Sequence, residues 1–471
     1  MIKKLFSHTV IYGLAPQIPK LVGILILPII TPFLTATDFG VYGLITAVVG
    51  AISVFSSLGM NVILSNSFFK DPDGYMLTWR RIYGFLILWN IPYSFILGFL
   101  IYFFIPKEAS LNAFLIVILN VIPVAFFGPT AVLGALYFQL KQKPMEIAIR
   151  SFIIGSITII LNLYFIAYLK MGYIGWFISL AISQILLQIS YWQPLNRKAG
   201  ISPIYKQDYA ILWKQLKVAL PVVPHYYGGY LLNTSDRLVM KLVNVSASQI
   251  GAYNAANTVG NGFLMIGVAA GQAVSPMLMT AYKNNNQMQA RNLVFVLQIV
   301  FLCITFAVSI WLKEIFEFLI KIEDLKKIYP LGIIIIMGYN YRPMYFGANF
   351  RLFFNEKTHK LMNITLLAGV ICFVLNFILM PFWGYQVAAY TTFAGLMYMG
   401  YAGYFLKEYK ETTTVKFYPL LWLAITIVLT VLAFYAVDFI LLYKIILTVV
   451  SIFFGILMTL YFARKLQTDN E

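Results

Sequence analysis

The chain has 471 residues, of which 61% are hydrophobic and 11% are charged, and its formal net charge is +17. A soluble domain carries about 25% charged residues, so this composition excludes a soluble protein and indicates one that resides in lipid. The Lys and Arg residues are scattered through short loops, which argues against nucleic acid as a partner. Membrane lipids explain the excess charge better.

Apolar runs of about 20 residues recur along the whole chain, and each is long enough to cross a bilayer as a helix. The runs lack strict alternation, which excludes a β-barrel. The sequence therefore predicts an all-α polytopic membrane protein with about 14 transmembrane helices. The predicted spans are 10–34, 41–64, 82–105, 112–138, 147–169, 173–193, 217–243, 250–280, 292–312, 329–354, 361–381, 384–406, 417–437 and 440–462.

Most of the 34 Lys and Arg residues fall on one side of the membrane if the N-terminus is inside. Positive residues are retained on the cytoplasmic side, so both termini are predicted to be cytoplasmic. Residues 1–21 have the basic start and apolar run of a signal peptide but no clear cleavage site. We expect this segment to be kept as part of the first span.

One sequence pattern occurs twice. Residues 16–20 (PQIPK) lie in the first span and residues 221–225 (PVVPH) in the seventh, and each is followed by a Gly-x-Tyr, at 40–42 and at 251–253. A further match joins 136–141 (LYFQLK) to 352–357 (LFFNEK). Such repeats in a transporter predict two related bundles, here in the same orientation and related by a pseudo-two-fold axis along the membrane normal.

The repeats define the predicted domains. We expect an N-terminal six-helix bundle (1–193), a cytoplasmic linker (194–216), a C-terminal six-helix bundle (217–406), and two additional helices with a short cytoplasmic tail (407–471). A cleft between two such bundles is where transporters place their substrate.

Ionisable residues inside the spans are costly in lipid and are therefore functional candidates. Lys20 and His225 directly follow the two Pro-x-x-Pro motifs, Arg342 lies in the middle of the tenth span, and Arg237 lies in the seventh. These four are predicted to bind an anionic headgroup, for which the planar fork of arginine is well suited. The alternatives are a lysine that reaches the membrane surface, a hydrogen-bonded core histidine, and arginines paired with acidic neighbours.

Asp236 is one of few acidic residues inside a span and is the best candidate for a proton or sodium site that couples transport to an ion gradient. A fixed structural salt bridge is the alternative, although adjacent helical residues point about 100° apart and Asp236 need not pair with Arg237. A polar stripe follows on one face of the eighth span, where amides could contact sugar hydroxyls or bond to other helices. It consists of Asn254, Asn257, Asn261 and Gln272.

We expect no catalytic residue, no cofactor and no metal site. Asp71 and Asp73 form a D-x-D, but Pro72 and Gly74 beside them favour a simple turn. The two cysteines lie in apolar runs, and no metal-spaced cluster occurs. A polysaccharide polymerase or ligase would need a larger outer loop than 313–328, so a protein that is not an enzyme is predicted.

Three segments resemble the polysaccharide transporter family, the lipid-linked repeat-unit flippases of O-antigen, capsule and exopolysaccharide pathways. That family is a branch of the multidrug/oligosaccharidyl-lipid/polysaccharide exporter superfamily. The segments are 34–43 (LTATDFGVYG), 220–238 (with LPVVP and NTSDRL) and 250–256 (IGAYNAA).

The resemblance implies a flippase in the bacterial inner membrane with a cationic cavity that opens alternately to each side. The implied substrate is a polyprenyl-diphosphate-linked oligosaccharide, and polymerase machinery is a possible partner. A multidrug exporter of the same superfamily and a peptidoglycan lipid-precursor flippase are the alternatives.

Overall fold

The structure is a computed structural model that describes residues 23–355 and 357–468, and no strand occurs among them. Ten helices of this described part are long and apolar enough to cross a membrane. The prediction of an all-α polytopic membrane protein is confirmed, whereas the count of 14 helices stays a prediction.

The described chain forms two compact units. Unit 1 comprises the described residues up to Tyr230 together with Met240–Gly251, and unit 2 comprises Leu231–Val239 and the described residues from Ala252 onward. The predicted bundle boundaries at 193 and 217 stay predictions.

Nine α-helices belong to unit 1 alone. They are α1 (Leu27–Ile30), α2 (Ala36–Ser53), α3 (Asn61–Lys70), α4 (Tyr75–Phe104), α5 (Ala113–Ile122), α6 (Thr130–Leu140), α7 (Pro144–Asn162), α8 (Tyr173–Gln193) and α9 (Tyr209–Ala219). Three helices contribute residues to both units: α10 (Val223–Asn233), α11 (Asp236–Leu242) and α12 (Ala247–Lys283).

Ten α-helices belong to unit 2 alone. They are α13 (Gln287–Ile310), α14 (Leu312–Leu319), α15 (Glu323–Lys326), α16 (Tyr329–Gly338), α17 (Tyr341–Phe354), α18 (Thr358–Trp383), α19 (Val387–Tyr401), α20 (Lys407–Thr412), α21 (Pro419–Ala436) and α22 (Leu441–Thr468).

Several predicted spans are broken helices. The span at 41–64 is interrupted after α2 by a 3-10 turn at Val54–Ser56 and by left-handed backbone at Leu58 and Gly59. The span at 112–138 is interrupted after α5 by a π-helical turn at Pro123–Phe127. Irregular backbone at membrane depth is tolerated only where protein or a water-filled cavity surrounds it. These two breaks therefore mark positions inside unit 1 where a cavity is expected.

The segment that follows the first span begins α2 and anchors it. Thr35 and Asp38 form a capping box, in which each side chain accepts a hydrogen bond from the other residue's backbone N–H. The second oxygen of Asp38 accepts a hydrogen bond from the backbone of Tyr173 at 2.8 Å. Ser246 and Gln249 form the same box before α12, with both N–H bonds at 3.3 Å. The two boxes lie at equivalent places in the repeated pattern.

The glycines of the two Gly-x-Tyr motifs make a reciprocal contact within unit 1. A Cβ atom on Gly40 would lie 1.8 Å from the carbonyl oxygen of Ala247, and a Cβ atom on Gly251 would lie 1.8 Å from the carbonyl oxygen of Ala36. No side chain fits at either position, so α2 and the first turn of α12 approach backbone to backbone. Small residues permit this close helix packing in membranes.

The segment 194–216, predicted as a linker, packs on α4 in unit 1. Leu195 and Ile201 are fully buried in a cluster that includes Trp79. Arg80 Nε donates a hydrogen bond to the carbonyl oxygen of Ser202 at 3.1 Å. This segment is therefore a structural part of the first unit.

The predicted turn at Asp71 is confirmed, since its side chain accepts a hydrogen bond from the backbone of Gly74 at 2.9 Å.

The last helix, α22, packs on α13 in unit 2. Close packing at Gly455 is evident because a Cβ atom there would lie 2.4 Å from Sγ of Cys303. Near the end of this contact, the fully buried Lys444 pairs with Glu314 at 2.5 Å. Trp311 Nε1 donates a hydrogen bond to Thr448 at 3.0 Å. One of the two predicted additional helices therefore packs against unit 2.

Candidate functional site

The predicted site residues fall mainly in unit 2. Lys20 lies outside the described residues, and the side chain of His225, on α10, is likewise outside the described part. The other seven belong to unit 2: Asp236, Arg237, Asn254, Asn257, Asn261, Gln272 and Arg342.

Arg342 lies in the first turn of α17, directly after the break that separates α16 from α17. Its guanidinium carbon is 5.5 Å from the centre of the Tyr341 ring. Its Nε atom is buried without a hydrogen-bond partner, and no acidic residue among those described forms an ion pair with it. The described geometry therefore does not support the alternative in which Arg342 pairs with an acidic neighbour.

The position of Arg342 is set by a glycine on α12. A Cβ atom on Gly267 would lie 2.3 Å from Cδ and 2.7 Å from Nε of Arg342, so any larger residue at 267 would displace this side chain from its observed position. The same spacing between contacting residues recurs along α12 and along the segment that contains α16 and α17. The three pairs are Gly260 with Ile335, Gly267 with Arg342, and Gly271 with Phe346.

Asp236 and Arg237 are paired, which corresponds to the salt bridge that the sequence left open as an alternative. Oδ1 of Asp236 accepts a hydrogen bond from the backbone of Arg237 at 2.8 Å and lies 3.6 Å from Nη1 of the same residue. Nε of Arg237 donates to Oδ1 of Asn254 at 3.0 Å. Both charged side chains are buried, so their charges compensate each other inside apolar surroundings.

One atom of this ion pair is not satisfied. Oδ2 of Asp236 is buried and accepts no hydrogen bond from any described residue. The hydroxyl of Tyr253 lies close to both Asp236 and Thr392 but forms no hydrogen bond in the described structure. A buried carboxylate oxygen without a partner is costly, and a proton or a small cation beside it would remove that cost.

The surroundings of Asp236 include polar residues that were not predicted as site residues. Asn376 and Cys372 lie on one face of α18, where Nδ2 of Asn376 donates to Sγ of Cys372 at 3.7 Å. Oγ1 of Thr391 donates to Oδ1 of Asn376, and Oγ1 of Thr392 lies 3.7 Å from Cys372 Sγ. All four are buried. A sequence signal existed, because Cys372 and Asn376 are four residues apart on a helix and so share a face.

The amide stripe on α12 is divided between two roles. Asn254 binds Arg237, and Asn261 accepts a hydrogen bond from the Tyr339 hydroxyl at 3.4 Å, so these two bond to other segments of unit 2. Asn257 is buried, and Oε1 of Gln272 is buried without a partner in the described structure. The oxygen of Gln272 therefore remains available as an acceptor for a ligand.

The arrangement of these groups suits the binding of ligands. A guanidinium without an acidic partner, an amide oxygen without a donor and a buried acid can hold an anion, a polar group and a cation respectively. Among the residues that the structure describes, no group of three or more His, Cys, Asp and Glu residues could hold a metal ion.

Comparisons with known proteins identify a family that the sequence matches and solved structures that share the fold. A family model described as "Polysaccharide biosynthesis protein" matches residues 5–282. The structure is similar to "Lipid II flippase MurJ, inward closed conformation", with a TM-score of 0.71 and 15% identity over 97% of this chain and 99% of that one.

Two multidrug transporters share the fold at lower similarity. An inward-facing multidrug resistance MATE family transporter of the MOP superfamily has a TM-score of 0.60 and 13% identity, over 87% of this chain and 95% of that one. The Vibrio cholerae MATE transporter VcmN in its bent form has a TM-score of 0.55 and 12% identity, over 87% and 96%. No curated protein sequence matches the chain.

Proposed function

Because the chain belongs to the family of polysaccharide biosynthesis proteins, we propose that it is a flippase. Its substrate is a polyprenyl-diphosphate-linked oligosaccharide, which it moves from the cytoplasmic to the outer leaflet of the bacterial inner membrane by alternating access. The product serves synthesis of a surface polysaccharide, such as O-antigen, capsule or exopolysaccharide. The transporter fold supports this proposal and supports a protein that is not an enzyme.

Arg342 is the observation that carries the proposal. A guanidinium at mid-span needs a counterion, and the described residues provide none. A diphosphate would supply it through paired charge-assisted hydrogen bonds. Arg237 is already paired with Asp236, so its contribution depends on release from that pair. Lys20 and His225 remain further proposed contacts of the headgroup.

The sugars are proposed to contact the amide side chains of α12. Gln272 lies within two helical turns of Gly267, against which Arg342 packs. Its unpaired oxygen could accept a hydrogen bond from a sugar hydroxyl. Asn257 and, after rearrangement, Asn254 and Asn261 complete the proposed sugar contacts.

The first test is deletion of the gene followed by analysis of lipid-linked sugars on each leaflet. We expect a polysaccharide repeat unit on its lipid carrier to accumulate in the cytoplasmic leaflet. Accumulation of the peptidoglycan lipid precursor instead would identify the second candidate, which the similarity to the lipid II flippase supports. Increased drug sensitivity with normal lipid-linked sugars would contradict both and favour a multidrug exporter.

Asp236 is proposed to bind the coupling ion, a proton or a sodium ion, at its unpaired oxygen. We expect Asp236→Asn to reduce the stimulation of transport by an imposed pH or sodium gradient about 5–150-fold, the range of a typical coupling free energy. Flux into proteoliposomes with and without the gradient measures this effect. The control is Asp438→Asn, which removes an exposed carboxylate paired with Lys313. Equal gradient stimulation in Asp236→Asn and the wild type would remove Asp236 from the coupling site.

Gly267 is expected to control headgroup binding through Arg342. In Gly267→Ala the new methyl group occupies the position of the guanidinium stem, so Arg342 must move. We expect affinity for an undecaprenyl diphosphate to fall about tenfold, since displacement by about 1 Å is costly at a charged site. Gly260→Ala is the matched control, because its methyl group would displace the apolar Ile335 instead. Similar losses in both variants would show that helix packing, and not the placement of Arg342, is responsible.

A further inference from the structure

We propose that unit 1 contains a second, uncharged binding site that accepts a neutral sugar ring. The site is a cavity of about 330 Å³ at which the two broken helices of unit 1 meet. One break follows α2 at Val54–Ser56, and the other follows α5 at Pro123–Phe127. Discontinuous membrane helices commonly form ligand sites, because their interrupted backbone leaves polar groups that line a cavity.

The lining of this cavity is mostly apolar, and its polar side chains include no charged one among the described residues. Amides and hydroxyls predominate on its polar side. They belong to Thr46, Ser53, Ser56, Ser57, Asn90, Tyr93, Asn120, Gln184 and Gln188. Apolar residues such as Val49, Leu86 and Phe177 form the rest of the wall. Carbohydrates present hydroxyl groups at their edge and C–H groups on their faces, which matches this combination.

Asn90 points to a missing ligand. Its side chain is 2% exposed, it lines the cavity, and its Oδ1 atom has no hydrogen-bond partner in the described structure. An unpaired buried amide oxygen is unfavourable, so a donor that reaches the cavity would be bound favourably. A sugar hydroxyl is such a donor. The amide of Gln184, which is exposed, is a second group available to a ligand at the same site.

Gln188 and Gly128 shape the floor of the cavity. Oε1 of Gln188 accepts a hydrogen bond from the backbone of Ala131 at 2.6 Å, which satisfies an N–H at the start of α6. A Cβ atom on Gly128 would lie 3.2 Å from Nδ2 of Asn90 and 3.7 Å from Nε2 of Gln188. The two amides thus converge at the break, and glycine leaves room between them.

The absence of charge from the described lining distinguishes this site from Arg342 and favours the sugar part of the substrate over its diphosphate. A phosphate would need cations, and an apolar drug would leave the amides unpaired. The inference rests on the proposed function, because the lipid-linked oligosaccharide supplies the sugar. It adds that unit 1 recognises carbohydrate through neutral hydrogen bonds.

The test compares two probes on the purified full chain in nanodiscs: undecaprenyl diphosphate, and the same lipid carrying one N-acetylglucosamine. Dissociation constants are measured for the wild type, Asn90→Leu and Gln184→Met. We expect the sugar to strengthen binding to the wild type. In both variants, the increase in affinity that the sugar causes should be about tenfold smaller. Affinity for the sugar-free lipid should stay within about twofold of the wild type.

Asn162→Leu is the matched control, because Asn162 also has a buried unpaired amide oxygen but lies at the end of α7, outside the cavity lining. It should keep the full gain. Gln184→Met keeps the test valid if the buried Asn90→Leu variant fails to fold, since the Gln184 side chain is exposed. If sugar strengthens binding equally in the wild type and in Gln184→Met, the cavity is not the sugar site and the flippase proposal stands.

A third probe, free N-acetylglucosamine, separates the two proposals. Failure of both lipids to bind the wild type would overturn the flippase proposal. If the free sugar then still binds and Gln184→Met weakens it, the carbohydrate site stands without that function. If the free sugar does not bind either, the site is overturned as well.

Discussion

Replacement of Arg342 with alanine is expected to reduce lipid-linked oligosaccharide flipping by about 100-fold or more, while the protein remains folded. Truncation of one partner of a buried charge pair costs about 2–5 kcal/mol, and this would be lost from the bound headgroup. Folding should not suffer, because Arg342 forms no ion pair with a described residue. Arg342→Lys should be intermediate, since lysine keeps the charge but loses the planar fork.

The measurement is flipping of a fluorescent undecaprenyl-diphosphate sugar in proteoliposomes, together with its dissociation constant. Arg291→Ala is the control of the same residue type, because the guanidinium of Arg291 contacts its neighbour Asn292 and the ring of Phe295. It should flip at the wild-type rate. Wild-type flipping by Arg342→Ala would remove the central support for the headgroup site.

Substitution of Gly40 or Gly251 by alanine is expected to destabilise the protein by about 3 kcal/mol. Overpacking costs about 1–3 kcal/mol when side chains can adjust, and more when they cannot. Here the new methyl group meets a backbone carbonyl, which cannot rotate away, so α2 and α12 must separate. The free energy of unfolding in detergent measures this loss.

Gly40 and Gly251 lie on opposite sides of one helix–helix contact. Once one substitution has separated the two helices, the second should cost little, so the double variant is expected to be far less destabilised than the sum of the two single variants. Gly229→Ala is the control, because a Cβ atom there meets nothing within 4 Å and alanine favours a helix. Additive effects in the double variant would mean that the two glycines do not share one contact.

The membrane class and the helical spans could be predicted because they depend on local composition. The predicted span at 250–280 corresponds closely to α12, Ala247–Lys283. Helix breaks could not be located in this way, since apolar residues continue through them. The turn at Val54–Ser56 interrupts an apolar run, and the left-handed backbone at Leu58 depends on packing that hydropathy does not report.

Candidate site residues could be selected from the sequence by their type, but their partners could not. Asp236 and Arg342 stand out in the sequence because ionisable groups are rare in spans. Their surroundings depend on contacts between distant segments, such as Arg342 with Gly267. The sequence left open whether Asp236 pairs with Arg237, because the angle between adjacent residues does not account for the reach of an arginine side chain. The cavity at Asn90 requires two broken helices to meet, which no local pattern records.

The pairing of α13 with α22 has a consequence for how the protein is made. Leu441–Thr468 is the last helix of the described chain, yet it supplies the buried Lys444 for Glu314 and the packing partner of Cys303. Until α22 has been synthesised, the surface of α13 against which it packs is exposed to lipid. A product shortened by a premature stop codon would retain that surface permanently, which gives membrane proteases a means to recognise incomplete chains.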